Sequence, residues 1–315
     1  MHDFIAIGET TIDAFIRLAG NYEINKEKGQ VCLPYGTKIP YESVEEIAAV
    51  ANASNAAVAA SRLGLKTALY ANIGNDENGE KCVSALKNEG VSTDFIKVNE
   101  GEKTNYHYIL WYGDERTILQ KHSKFNYSLP DIGSPKWVYL TSLGENSGNI
   151  HDQLVAHLDK NPEIKLAFQP GIFQMKMGVE KLKNIYAHTK IFFCNVEEAE
   201  LILGINTLGM DELLKRMKAL GPEIVVITDG PKGAYAYDGN QVYNQAPYPD
   251  PKPPFERTGA GDAFASTTVA ALALGKDLQT ALSWGAVNSM SVVQQVGAQK
   301  GLLSKTEIEK LLKKD

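Results

Sequence analysis

Residues 256–265 read Glu256-Arg257-Thr258-Gly259-Ala260-Gly261-Asp262-Ala263-Phe264-Ala265, and small and apolar residues continue from there as one helical stretch to about Gly275. Three small residues at the mouth of a buried helix let a ligand come close to the backbone. The first amides of such a helix have no partner within it and the helix dipole puts its positive end there, so the turn suits an anion. Asp262 stands in that first turn. A carboxylate so placed can simply stabilise the helix, by roughly 0.3–1 kcal/mol. Beside a nest of N–H donors it can also take a proton from a hydroxyl while the donors neutralise a phosphoryl group in flight. Asp262, Gly259, Ala260 and Gly261 are therefore the candidate catalytic residues.

Upstream of this turn, short apolar runs alternate with helical patterns, the signature of βαβ units around a largely parallel sheet. Strands are expected at 4–7, 67–73, 137–140, 164–168, 191–194 and 223–228. Helices are expected at 53–63, 77–89, 197–203 and 210–220, the first two stopped by Gly64 and Gly90. Residues 14–39 and 95–117 break the rhythm and read as exposed strands and loops. Inserted after early strands, they can pair into a small sheet covering the carboxyl edge, where such folds bind ligands. The expectation is one domain over 1–315 with a lid built from these two insertions. Residues 247–254 hold five prolines, which rules out a helix or central strand there and suggests a rigid connector.

Composition narrows the partners. With 315 residues, 43% hydrophobic and 22% charged, the chain can bury a large core and is not of disordered type. Its net charge of −6 provides no basic field for nucleic acid or an anionic membrane, so any phosphate must be gripped locally. Cys32, Cys82 and Cys194 are odd in number and far apart, unlike a disulfide framework or a zinc site. The acidic residues near Met1 do not resemble an export signal, and no apolar run reaches the roughly 18 residues of a membrane span. A cytoplasmic protein is expected.

Other phosphate motifs fail. Gly74-Asn75-Asp76-Glu77-Asn78-Gly79-Glu80-Lys81 has the glycine spacing of a Walker A loop, but Glu80 stands where its lysine belongs. Gly259-Ala260-Gly261 is no dinucleotide fingerprint, because Phe264 holds the third glycine position. His107 and His122 lack metal-ligand spacing and read as structural.

The chain resembles, over essentially its whole length, the ribokinase-like (PfkB) carbohydrate and nucleoside kinases. Gly259, Ala260, Gly261 and Asp262 match the family's C-terminal signature. Ala51, Ala53, Asn55, Ala57, Gly64 and Gly74 match the N-terminal one, with Asn52 where glycine is usual. The resemblance implies an α/β fold: a three-layer αβα sandwich with a mostly parallel central sheet and a small β-sheet lid. It implies an ATP- and Mg2+-dependent kinase acting on a hydroxyl of a small sugar. A nucleoside kinase is the alternative, because Tyr106, Tyr108, Trp111 and Tyr112 can stack on a base. A silent ligand-binding protein on the same fold is another.

Specific roles follow from the same resemblance. Asp262 becomes the base, with Gly259, Ala260 and Gly261 as anion hole. Asp13, Asn55 and Arg116 become acceptor-binding residues. Asn195 and Glu198, in Asn195-Val196-Glu197-Glu198, organise Mg2+, with Glu198 acting through water. Thr228, Gly230, Gly233 and Asn288 border the nucleotide. Family members carry Asp-Thr where this chain has Glu256-Arg257, in a segment that helps build a monovalent cation site, so a cation requirement is not carried over. The exposed lid strands also offer an edge for a homodimer.

Overall fold

The expected strands are buried on both faces apart from end residues such as Lys165 and Glu223, which is why they read as continuous apolar runs rather than alternating ones. The computed structural model describes every residue except 21, 26, 114, 314 and 315. Its central sheet has nine strands in the order Val242–Gln245, Ala234–Tyr237, Ile224–Thr228, Thr189–Asn195, Lys165–Phe168, Trp137–Leu140, Phe4–Ile7, Thr67–Gly74, Ile96–Asn99. Neighbours pair in parallel except at the Val242–Gln245 edge, where two antiparallel pairings close the sheet.

Side-chain alternation then divides the core into two layers. Phe4, Ala6, Tyr139, Ile191 and Phe193 pack towards Asn52–Arg62, Ala260–Ala273 and Leu278–Val292. Ile5, Ile7, Leu140, Phe168 and Phe192 pack on the opposite side towards Gly148–Lys160, Val179–His188 and Met210–Ala219. The fold is thus the expected three-layer α/β sandwich. The alanines of Asn52–Arg62 (Ala53, Ala56, Ala57, Ala59 and Ala60) are buried and let that helix lie close against Ala260–Ala273.

A second sheet carries four strands, in the order Tyr41–Val50, Thr11–Leu18, Tyr106–Tyr112, Glu115–Leu119. Its inner face, Phe15, Ile109 and Trp111 with Ile47, packs on Val296. Its limits differ from the two stretches read in the sequence. Ile96–Asn99 is an edge strand of the central sheet, and Tyr41–Val50 joins the small sheet from beyond residue 39. Tyr41–Val50 escapes a periodicity reading because its outer residues are exposed on both faces as far as Glu46. Glu23–Asn25 and Gln30–Cys32 form a separate hairpin. Among the described residues, no helix is long and apolar enough to cross a membrane, and the three cysteines are free.

Candidate active site

Parallel strands point their carboxyl ends at one edge of the sheet, and the loops leaving that edge meet the amino ends of the flanking helices. Here the edge brings together Gln169 after Lys165–Phe168, Asn195 at the end of Thr189–Asn195, and Thr228 at the end of Ile224–Thr228. Ala260–Ala273 starts opposite them. Gly259 caps this helix with φ +81°, and a Cβ there would lie 2.3 Å from the Ala298 Cβ, so backbone conformation and close packing both demand glycine.

Asp262 is half-buried in the first turn. Asn55 Nδ2 donates to its Oδ2 at 2.9 Å and Gln169 Nε2 to its Oδ1 at 3.4 Å. Both donors are themselves oriented. Tyr139 donates its hydroxyl to Gln169 Oε1, and Gln299 Nε2 donates to Asn55 Oδ1 at 3.0 Å. Burial pushes the Asp262 carboxyl above its ordinary range, against the opposing pull of these two amides and of Arg116. The result is a carboxylate held in one orientation at the positive end of a helix.

One cavity is lined by this turn and a second by the Asp262 partner Gln169. The first, of about 410 Å³, is lined by Thr228, Gly230, Gly233, Ala260, Gly261 and Arg257. It gathers the strand-end residues expected to border a nucleotide with Ala260 and Gly261 of the glycine-opened turn. Its far wall is the proline-rich segment, through Pro247, Tyr248, Asp250 and Pro254. That segment is more than a connector: its prolines make a stiff wall. The other cavity, of about 450 Å³, is lined by Asn52, Gln169, Gly171, Asn195, Glu197 and Glu198 among others. The turn carrying Asp262 thus lines the first cavity through Ala260 and Gly261, and the Asp262 partner Gln169 lines the second.

Several expected site residues have other partners. Asn288 is fully buried, donating to Thr267 Oγ1 at 2.6 Å and accepting the Leu303 N–H at 2.8 Å. On its helix the residues lining the first cavity are Ala286, Ser289, Met290 and Val293. Asn288 is therefore a core tie, not a cavity residue. Asn55 is 3% exposed and commits its amide to Asp262 and Gln299. Arg116 Nε lies 3.5 Å from Glu256 Oε1, and Arg116 lines neither cavity. Asp13 is buried on Thr11–Leu18, accepting the Thr11 hydroxyl at 2.9 Å, with His107 Nδ1 3.3 Å from the same oxygen.

The two histidines read as structural belong to this neighbourhood. His122 Nδ1 lies 3.1 Å from Glu9 Oε1, Asn105 Nδ2 donates to that oxygen at 3.3 Å, and the His107 and His122 rings stand 5.6 Å apart. The Glu9 hydrogen bond raises the His122 pKa. Gln169 was also missed, although its place immediately after a parallel strand is a position where ligand-contacting residues gather. Asn52 projects into the second cavity. The strained backbone sits beside it instead, at Ala51 with φ 88° and ψ 162°, a conformation suited to glycine.

Asn195 and Glu198 form a reciprocal helix cap: the Asn195 side chain accepts the Glu198 N–H at 2.8 Å, and Glu198 Oε2 accepts the Asn195 N–H at 2.9 Å. Burial raises the Glu198 pKa, with the Asp262 and Glu197 charges adding to it, so a cation nearby is favoured. Among the described residues no group of three or more His, Cys, Asp or Glu forms a metal cage. That donor set suits Mg2+, which retains waters and binds through one or two carboxylates plus phosphate oxygens.

Residues 52–305 match the model of the pfkB family carbohydrate kinases. Ribokinase of Bacillus subtilis is 27% identical over 82% of this chain and 86% of its own length. A 5-dehydro-2-deoxygluconokinase of Bacillus velezensis is 26% identical over 82% and 83%. An uncharacterized sugar kinase of Archaeoglobus fulgidus is 27% identical over 77% and 97%. Among solved structures, Arabidopsis thaliana ribokinase complexed with ribose and ATP matches with a TM-score of 0.82 at 19% identity over 99% of both chains. The nucleoside kinase of Methanocaldococcus jannaschii matches with a TM-score of 0.81 at 20% identity, again over 99% of both. The fold is ribokinase-like.

Proposed function

The chain belongs to the pfkB family of carbohydrate kinases, and we propose that it transfers the γ-phosphoryl group of ATP to a hydroxyl of a small sugar. The observation that carries this is Asp262, oriented by Asn55 and Gln169 in the first turn of a helix whose neighbouring residues open onto a nucleotide-sized cavity. The nucleotide lies in the cavity of Thr228, Gly230 and Gly233. The acceptor lies on the other side of Asp262, against Asp13. Asp262 takes the acceptor proton, and the amides of the turn from Gly259 to Asp262, of which Ala260 N–H also reaches the Arg257 carbonyl at 3.5 Å, receive the charge that develops on the transferring group. Asn55 orients the base instead of gripping the sugar. Arg257, at the rim of the nucleotide cavity, adds positive charge near the phosphates.

Asn195 and Glu198 are the residues that would hold a hydrated Mg2+. When bound, the ion neutralises charge on the phosphates and leaves positioning to the protein. Most of the rate enhancement then comes from holding acceptor and phosphate in line and dry. The small sheet, which carries Asp13, acts as the lid. Its exposed Tyr41, Val44 and Leu119 suit pairing of two subunits, checked by light scattering at micromolar concentration.

The aromatic residues that suggested a nucleobase are engaged within the protein. Trp111 packs on Phe255, Tyr106 donates to Glu46 and lies tilted against Tyr108, and Tyr112 bonds Thr117. A sugar is therefore favoured. The test is a panel of ribose, fructose, 2-keto-3-deoxygluconate, adenosine and cytidine, with ATP and ADP as donors. ATP-dependent turnover of a sugar is expected. A ligand that raises thermal stability while no acceptor supports ADP formation would mean a silent binding protein.

A further inference from the structure

Two residues that face each other across a hairpin of the small sheet hold two successive residues of the loop leading into the anion-binding turn. Trp111 and Arg116 are cross-strand partners, so their side chains share one face. The Trp111 ring meets Phe255 edge-on, with centroids 5.2 Å apart and planes at 77°. Arg116 Nε lies 3.5 Å from Glu256 Oε1. Glu256 has no exposed surface; its Oε1 accepts the Thr258 N–H at 2.7 Å and the Thr258 hydroxyl, while Oε2 has no hydrogen-bond partner. A carboxylate this deeply buried is costly without a cation, and the cation facing it comes from the small sheet.

The loop is tied from the other side as well. The N–H groups of Phe255 and Glu256 both donate to the Val293 carbonyl, at 2.8 and 3.2 Å. Three residues beyond Glu256, Gly259 opens the turn. The sheet supplying the grip also carries Asp13 and His107, paired in register. Resting on the function proposed above, the geometry points to Trp111 and Arg116 as positioning residues: their grip on Phe255 and Glu256 seats the amides of the anion hole, so the placement of the small sheet over the acceptor sets the phosphoryl site. Arg116 also favours ionised Asp262, which is further faced by Asn55, Gln169, Tyr139 and Glu198.

The test compares Arg116→Met, Glu256→Gln, the double variant and Arg116→Lys with the wild type. Three quantities are read: melting temperature, hydrogen exchange of the bonded amides of Phe255, Glu256, Thr258 and Ala263, and kcat with the best acceptor. Arg116→Met leaves a buried carboxylate unpaired and lowers the melting temperature. The double variant removes that charge and recovers it. If the pair positions the loop, exchange at the four amides in the double variant still runs about tenfold faster than in wild type, and kcat stays at least about tenfold low, since small misplacements near reacting groups cost about that much or more. KM for ATP changes less than kcat, and Arg116→Lys restores part of kcat. A double variant with wild-type exchange and kcat within about twofold would reduce the pair to a structural tie and overturn the inference. If the wild type phosphorylates nothing, the proposed function fails on its own while the exchange measurement still decides the grip.

Discussion

Replacing Asp262 by Asn separates activity from stability in a way that depends on this site. The amide keeps the size of the carboxylate and removes its charge and basicity. General-base assistance contributes about 10²–10⁴-fold, equivalent to about 2.7–5.4 kcal/mol of barrier at 1.36 kcal/mol per tenfold. The loss should fall on kcat, because the nucleotide cavity is formed by other residues. Geometry adds to it. Asn55 and Gln169 both donate to Asp262, so the new NH2 must face one of them, and Gln169 cannot readily turn because the Tyr139 hydroxyl holds its oxygen.

Stability should move the other way. The folded-state pKa of Asp262 is raised, chiefly by burial. Its contribution is therefore fully present below the unfolded carboxylate pKa and is lost as pH rises through the higher folded value. At pH 7.5 the ionised wild-type side chain works against folding, and the Asn variant should melt at the same temperature or higher. In wild type, kcat/KM should fall on the acid side at a pH above the usual carboxylate range. Coupled ADP-release assays and calorimetry at pH 5 and pH 7.5 measure both effects. Unchanged turnover would refute Asp262 as base. A variant that loses activity only because it unfolds at pH 7.5 would refute the account of its burial.

Ala51→Gly relieves a positive-φ backbone worth about 1–3 kcal/mol; after the entropy that glycine returns to the unfolded chain, about 0.4–1 kcal/mol, a net gain of about 1 kcal/mol is expected in denaturant unfolding, and a loss would show that the strain is absent. Glu9→Gln leaves an acceptor for His122 but removes the negative charge behind the hydrogen bond that raises the His122 pKa. That pair stabilises the fold below the unfolded histidine pKa and stops doing so as pH rises through the raised value, so the variant should lose more stability at pH 5.5 than at pH 9, with the His122 titration moving down by NMR. Asn288→Ala leaves the Leu303 N–H without its acceptor and should cost about 1–3 kcal/mol while KM for ATP stays within about twofold; a large KM change would return Asn288 to the nucleotide site.

How much was legible follows the range of the interactions. Strands such as Phe4–Ile7 and Trp137–Leu140, and the turn at Gly259 to Asp262, depend on contiguous residues, on apolar continuity and on backbone freedom, so they could be read along the chain. The proline-rich segment was legible as rigid but not as a cavity wall, because what it faces is set by Ser289 and Met290 some 40 residues on. Asn288 looked like a candidate by position, and only packing showed it bonded to Thr267 and Leu303. Glu9, His107, His122 and Gln169 carry no spacing signal, since their partners come from separate strands and loops. The sequence alone determined the α/β architecture, the glycine-opened turn and the aspartate in its first helical turn, since local propensity and burial act over a few residues. Tertiary structure alone decided which amides orient that aspartate and that Arg116 meets Glu256, since hydrogen bonds and buried charges are satisfied by whatever the folded chain brings within reach.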